Sequence, residues 1–362
     1  MGESHEPVPE RLHAWLARAV QDGASDLHLT VGYPPALRLH GDLTELPEDP
    51  LEGEELDVLL GALCPPDGRD RLRDERDADF SLQLSLDGEP ARFRAHLFFA
   101  GGHLGGCLRV IPTEIPDFLW AGFPIELAER LTSLRDGLVI FTGPTGSGKT
   151  TSLAMIVNML NESGGYRIIT VEEPVEYAFP KAPNSIVTQR EVGTDVRSFA
   201  DGLRAGLRED PDVILVGEVR DRETAQMALS ASETGHLVFT TLHTRDAKGA
   251  ITRFADLFPQ DAQSTVRAQL AMSLRIIVSQ RLLPGPERGS KRHLALEVLW
   301  NTHPIASAIR SGKIESIDNY LITGREEGMV SFDESVRTLW RAGKITREVA
   351  EQNVREMAVL NR

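Results

Sequence analysis

Gly143-Pro144-Thr145-Gly146-Ser147-Gly148-Lys149-Thr150 is the stretch on which the reading of this chain turns. It fits the pattern G-x-x-x-x-G-K-[ST], directly follows the apolar run Leu138-Val139-Ile140-Phe141 and opens a helical pattern. A strand before and a helix after are the context in which such a loop cradles the phosphates of a nucleoside triphosphate. The glycines let the backbone turn with its N–H groups inward, so that an anion sits in a nest continuous with the helix N-terminus. On this reading Lys149 reaches the β- and γ-phosphates. Thr150 offers a hydroxyl to magnesium, a hard cation that prefers oxygen ligands and keeps several waters. The expected nucleotide-binding set runs from Gly143 through Thr151, and the expected ligands are ATP and Mg2+.

Working downstream, three polar clusters each follow an apolar strand, at the sheet edge where α/β proteins place ligands. Thr170-Val171-Glu172-Glu173-Pro174-Val175-Glu176 crowds three carboxylates, a costly arrangement unless they are solvated, paired or near a metal. Beside a triphosphate they would orient an attacking water. In Asp210-Pro-Asp212-Val-Ile-Leu-Val-Gly217-Glu218-Val-Arg220, an apolar strand runs into Gly-Glu, the shape of a Walker B element. Its carboxylate is expected to face the magnesium from the strand next to the loop strand. In Thr234-Gly235-His236 through Thr240-Thr241-Leu242-His243-Thr244, two histidines bracket a strand. His236 enters it and has an ordinary structural reading. His243 leaves it at the ligand edge and is the candidate γ-phosphate sensor. Arg204 and Arg208, spaced i, i+4, are expected on one helix before the Walker B strand.

Upstream, Leu12, Trp15, Leu16 and Ala19 repeat with helical spacing. Period-two alternation follows at Asp26–Thr30, Ala36–Leu39, Phe80–Leu86 and Arg92–Leu97, with Asp87-Gly88 as a hairpin signal. This predicts a small α+β domain over residues 1–112 and, from its prolines, a linker at 113–123. Residues 124–362 are expected to form an α/β domain with a parallel sheet covered on both faces, from apolar strands at Leu138–Thr142, Arg167–Val171, Val213–Val216 and Leu237–Thr241. Beyond about Gln260 strands are expected mostly to stop, leaving a helical subdomain at roughly 265–362, with helices at 266–274, 304–311, 333–341 and 347–357.

The length of 362 residues fits two domains, and the net charge of −15 argues against a nucleic-acid coat. Lysine is absent before Lys149. Cys64 and Cys107 form no C-x-x-C pair, which suggests a reducing compartment without a disulfide framework or zinc site. The polar opening Met1–Pro7 lacks the features of a signal peptide, and no apolar run is long enough to span a bilayer. A cytosolic protein is expected, reaching a membrane only through a partner.

In their order, these segments resemble the secretion-superfamily ATPases, most closely the type IV pilus retraction (twitching-motility) ATPases of the PilT and PilU kind. The likeness extends from Gly23-Ala-Ser-Asp26-Leu-His28-Leu through Arg92-Phe-Arg94 and Leu108-Arg109-Val-Ile-Pro112. It continues through the loop, the acidic box, Gln189-Arg-Glu-Val-Gly193, Leu207–Asp212, the Gly217-Glu218 element, the histidine box and Ser279-Gln280-Arg281. It implies an N-terminal PAS-like domain and a RecA-like P-loop ATPase domain clamping MgATP. Glu176 would position water, Glu218 support the magnesium and His243 read the γ-phosphate. Arg94 and Arg109 match the family's N-terminal arginines, whose charged fork spreads over phosphate oxygens. It further implies a homo-hexamer at the cytoplasmic face of the inner membrane, acting on a pilus platform protein.

Two departures stand out. Glu173 occupies a position where retraction ATPases usually carry aspartate. The motif A-I-R-N-L-I-R-E is here Pro304-Ile-Ala-Ser-Ala-Ile-Arg310-Ser, keeping only the second arginine and lying closer to the accessory PilU pattern. A paralogous retraction ATPase is therefore an expected partner. A nucleotide-binding structural subunit and a pilus-assembly or secretion ATPase stay open as alternatives. The assembly enzymes typically carry longer N-terminal regions and often a tetracysteine site.

Overall fold

The computed structural model describes residues 8–112, 114–287 and 289–361, excluding the side chain of Asp67. Met1–Pro7, on which the signal-peptide expectation rests, lies outside the described residues, as does Thr113 of the expected linker. Two units separate, the first running to Glu114 with Gly289–Lys291 and the second from Ile115.

In the first unit, Leu12, Trp15, Leu16 and Ala19 form the buried stripe of α1 (Glu10–Gln21), as their spacing predicts. Strands β1 (Asp26–Leu29), β2 (Ala36–Leu39) and β3 (Asp42–Glu45) precede α2 (Gly53–Leu63) and α3 (Pro66–Asp74). Then come β4 (Asp77–Leu86), β5 (Glu89–Ala100) and β6 (His103–Ile111). The six strands make an antiparallel sheet in the order β3-β2-β1-β6-β5-β4. Between β4 and β5, Asp87 and Gly88 both adopt positive φ, 53° and 90°, the backbone that a two-residue hairpin turn with the twist of its strands requires. Inward residues such as Leu27, Leu82, Phe93 and Leu108 meet α1 and α2 in a single core.

The second unit opens with α4 (Phe118–Ala121), α5 (Ile125–Thr132), β7 (Gly137–Thr142), α6 (Lys149–Ser163), β8 (Arg167–Glu172) and β9 (Ile186–Glu191). It continues with α7 (Phe199–Gly206), β10 (Val213–Val216), α8 (Arg222–Glu233), β11 (Leu237–Leu242), α9 (Ala247–Asp256), α10 (Gln263–Ser273), β12 (Leu274–Leu283) and β13 (His293–Trp300). Helices α11 (His303–Ser311), α12 (Ile317–Thr323), α13 (Phe332–Arg341) and α14 (Arg347–Asn353) complete it. The sheet order is β13-β12-β7-β11-β10-β8-β9, parallel except for β13. Strand β7 is buried along its whole length: Leu138 and Ile140 enter one core, Val139 and Phe141 the other. Because alternate side chains leave opposite faces of a strand, a run apolar at every position is one that helices cover on both sides.

Three expectations are corrected. Strands do not stop after Gln260, since β12 and β13 extend the sheet by an antiparallel pair. Their runs Ile276-Ile277-Val278 and Leu294–Leu299 are apolar at nearly every position, and periodicity alone cannot tell a fully buried strand from a buried helix. The Walker B strand β10 is not next to β7, because β11 lies between them. Helix α7 ends at Gly206, so Arg204 lies on it and Arg208 does not.

Candidate functional site

The loop from Gly143 to Gly148 joins the end of β7 to the start of α6. Gly143 has φ +144°, and a Cβ there would lie 2.3 Å from the carbonyl oxygen of Gln280 on β12. Gly148 takes φ +86° as the N-cap of α6, a left-handed conformation that glycine adopts without a Cβ penalty. Pro144, Thr145 and Gly146 form the exposed crest of the loop. Ser147 is buried, its Oγ without a hydrogen-bond partner among the described residues. Thr150 and Thr151 sit half-buried in the first turn of α6. Lys149 is 7% exposed and donates from Nζ to the carbonyls of Gly143 (2.9 Å) and Pro144 (3.1 Å). Burial lowers its pKa, and the negative charges of Glu218 and Glu176 oppose that shift. The structure thus gathers Lys149, Glu218 and Glu176, distant in sequence, into one electrostatic neighbourhood.

Glu218 owes its place to the pairing of β10 with β11. Thr241 Oγ1 donates to the Gly217 carbonyl at 2.6 Å, and the Val219 amide donates to the Thr241 carbonyl at 3.1 Å. The Glu218 side chain, 18% exposed, meets Arg220 Nε at 2.6 Å and His243 Nε2 at 3.3 Å. Burial alone would push this carboxyl up; the Arg220 hydrogen bond and charge, then His243, outweigh it and hold it below the usual value. The His243 loop is pinned beside the P-loop strand, since the Thr244 amide donates to Thr142 Oγ1 at 2.9 Å. His236, at the opposite end of β11, packs Nδ1 against the Ala231 carbonyl (3.0 Å) and Thr234 Oγ1 (3.2 Å) at the end of α8.

The three crowded carboxylates separate into three environments. Glu172 is buried at the end of β8, accepting from Thr170 Oγ1 (2.6 Å) and Gln189 Nε2 (3.2 Å). Burial pushes its carboxyl up to about 7 despite those bonds. Glu173 points outward to Arg220 Nη1 at 2.7 Å. Glu176 is half-buried.

Residues 122–352 match the family model described as "Type II/IV secretion system protein". The chain belongs to that family.

This secretion-family chain is 38% identical over 340 residues to the type IV pilus retraction ATPase PilT of Pseudomonas aeruginosa, covering 94% of this chain and 97% of that one. It is also 38% identical over 336 residues to the type IV pilus ATPase PilU of the same organism, covering 92% and 86%. A crystal structure of the pilus retraction motor PilT with bound ADP superposes with a TM-score of 0.83 at 41% identity, covering 97% of this chain and 98% of that one. These likenesses bear out the resemblance to the PilT and PilU kind and the α/β class.

In this family member Arg94 and Arg109 belong to the first unit, where they are direct cross-strand partners on β5 and β6. Like charges so placed repel, and each has an acid beside it. Arg109 Nε meets the buried Asp26 at 2.9 Å and Arg94 meets Asp79 at 3.6 Å. Neither Cys64 nor Cys107 forms a disulfide.

Sequence reasoning assigned no role to Arg220, Gln189, Tyr177 or Gln280. Gln189 Nε2 donates to the Tyr177 carbonyl at 2.7 Å while its Oε1 accepts the Phe179 amide at 3.0 Å, so β9 holds the acidic loop. Tyr177 OH lies 3.0 Å from Thr151 Oγ1, linking that loop to α6. Tyr177 next to Glu176, Arg220 two residues after Glu218 and Gln280 next to Ser279 gave a local signal and Gln189 gave none, since spacing carries no information on which strands become neighbours.

Proposed function

We propose that the chain is a motor ATPase that hydrolyses MgATP to power type IV pilus retraction, working as a homo-hexamer. The observation that carries this reading is the buried Lys149 at the mouth of a P-loop, within electrostatic reach of both Glu218 and Glu176. A lysine so placed neutralises phosphate charge, and carboxylates near it suit the roles of orienting water and supporting a metal ion.

Glu176 holds and orients the attacking water, and His243, braced against Glu218, reads the γ-phosphate. Arg94 and Arg109 supply the spreading positive charge. Among the described residues no cluster of three or more His, Cys, Asp or Glu forms a protein metal cage. The donors at hand, the Thr150 hydroxyl and the Glu218 carboxylate, are hard oxygens that fit magnesium bound partly through phosphates and water. Such an ion supplies charge neutralisation of the phosphates. The chain's own residues act by positioning and by fixed charge, the main means of lowering a phosphoryl-transfer barrier.

The names of the PilT and PilU relatives support the pilus as the site of action. The proposed setting is the cytoplasmic face of the inner membrane, on a pilus platform protein; among the described residues no helix is long and apolar enough to cross a bilayer. The Pro304–Ser311 motif, now seen as α11, favours a PilU-like accessory role beside a paralogous motor. Phosphate release by the purified protein, compared with Glu218→Ala and Glu176→Gln, tests the enzyme: a wild type no faster than both variants would overturn it and favour a nucleotide-binding structural subunit. Imaging labelled pili in single and paralogue double deletions tests the role, and retraction lost only in the double deletion marks an accessory motor.

A further inference from the structure

We propose that Arg220 is a positioning residue for hydrolysis, a tether that fixes the acidic loop after β8 to the Glu218 element after β10. This rests on the ATPase reading above. Arg220 Nε lies 2.6 Å from Glu218 Oε1, and Nη1 of the same guanidinium lies 2.7 Å from Glu173 Oε2. The carboxylates come from the ends of two strands that are neighbours in the sheet, so one planar fork spans them.

The mechanical argument follows from what holds the loop. Residues 173–179 have no helix or strand of their own. From β9 they are held on both sides of Glu176, by Gln189 at Tyr177 and Phe179 and by Glu191, which accepts the Val175 amide at 3.1 Å. Their upstream end is held through Glu173 by Arg220. Arg220 adds the link to the β10 side, so that without it Glu173, two residues before the stretch held from β9, no longer couples the loop carrying Glu176 to Glu218. Charge points the same way: Glu173, Glu176 and Glu218 repel one another, and a permanent cation between two of them removes the reason for the loop to swing outward. The Arg220 side chain is 57% exposed and that of Glu173 37%, so this pair adds little to global stability, whereas the Glu218 side chain, 18% exposed, loses a closer partner when Arg220 is removed. Loss of the tether therefore shows chiefly in loop mobility and turnover, with a small loss of stability from the Glu218 side.

The test uses the full chain. Arg220→Gln is expected to lower kcat about 10- to 100-fold, the penalty of slight misplacement of a reacting group, with KM for ATP within about twofold of wild type. Arg220→Lys, whose ammonium reaches one carboxylate at a time, recovers part of the loss. Glu173→Gln has a smaller effect, and Glu173→Gln with Arg220→Gln is no worse than Arg220→Gln alone. Independently of turnover, hydrogen exchange of the amides of residues 173 and 175–179 speeds up in Arg220→Gln while the melting temperature falls only slightly. Unchanged exchange in that loop, a raised KM with kcat preserved, or multiplying effects in the double variant would each overturn the tether. A wild type without phosphate release would instead sink the ATPase reading, and loop exchange would still decide the tether.

Discussion

Gln280 Nε2 on β12 donates a 3.0 Å hydrogen bond to Ser152 Oγ on α6, and both residues are buried. The carbonyl of the same Gln280 faces Gly143 at the opposite end of the P-loop, 2.3 Å from where a Cβ would sit. One strand residue therefore braces the loop at both ends, by a bond at the helix side and by close packing at the strand side. The loop's shape depends on a strand that arrives more than a hundred residues later in the chain.

Gly143→Ala places a methyl group against that carbonyl at a φ of +144°. A loss of about 2–3 kcal/mol is expected, from strain plus the shift of β12. Gln280→Ala leaves the bond to Ser152 unmade and costs about 1–2 kcal/mol. Urea unfolding of both variants gives the comparison, and a neutral Gly143→Ala would contradict the packing.

Glu172 sets a pH dependence of stability. Its carboxyl rises from 4.5 to about 7 on folding, so the folded state binds this proton more tightly than the unfolded state. The associated stability is complete below about pH 4.5 and drains away as pH rises to about 7. Glu172→Gln cannot ionise, so relative to wild type it gains on the order of 3 kcal/mol across that window and stays level above it. Melting temperatures from pH 4.5 to 8 measure the gap; a gap independent of pH would show that burial does not govern this group.

Thr142 ties the end of β7 to the His243 loop, accepting the Thr244 amide at 2.9 Å and lying 2.7 Å from Thr244 Oγ1. Thr142→Val keeps the shape and removes both contacts. Turnover is expected to fall about 10-fold by misplacement of His243, while nucleotide affinity stays within about twofold. Steady-state kinetics alongside labelled-nucleotide titration separate the two quantities, and a loss confined to affinity would count against this role for the loop.

Arg109 and Arg94 differ in what they leave behind. Asp26 is 5% exposed, so Arg109→Ala leaves a buried carboxylate with the Ser25 hydroxyl but without its charged partner, and is expected to cost about 1–3 kcal/mol. Asp79 is exposed, and Arg94→Ala is expected to change stability by less than about 0.5 kcal/mol. If Arg94→Ala nonetheless lowers turnover, its effect belongs to chemistry rather than folding; denaturation curves and phosphate release on the same preparations decide.

Much of this protein is legible in its sequence because the signals are local. The P-loop spacing, the hairpin at Asp87-Gly88 and the four parallel strands at Leu138, Arg167, Val213 and Leu237 are written in adjacent residues, where backbone geometry answers directly to side-chain type. Strands β12 and β13 escaped because full burial erases the alternation that marks a strand. The insertion of β11 between β7 and β10 escaped because the order of strands in a sheet is settled by packing between segments far apart in the chain.

The candidate site divides along the same line. The amino-acid sequence alone determined which chemical groups stand at each strand end: a lysine and hydroxyls in a glycine-rich loop, three glutamates at and just beyond the end of β8, Gly217-Glu218 after β10 and His243 after β11. Tertiary structure alone decided what each group meets, burying Glu172, turning Glu173 to Arg220, setting His243 against Glu218 and bracing the loop on Gln280. The reason is physical: charge and hydrogen-bonding capacity are properties of a side chain, whereas pairing, desolvation and the resulting shift of a proton's affinity depend on neighbours that only the folded sheet supplies.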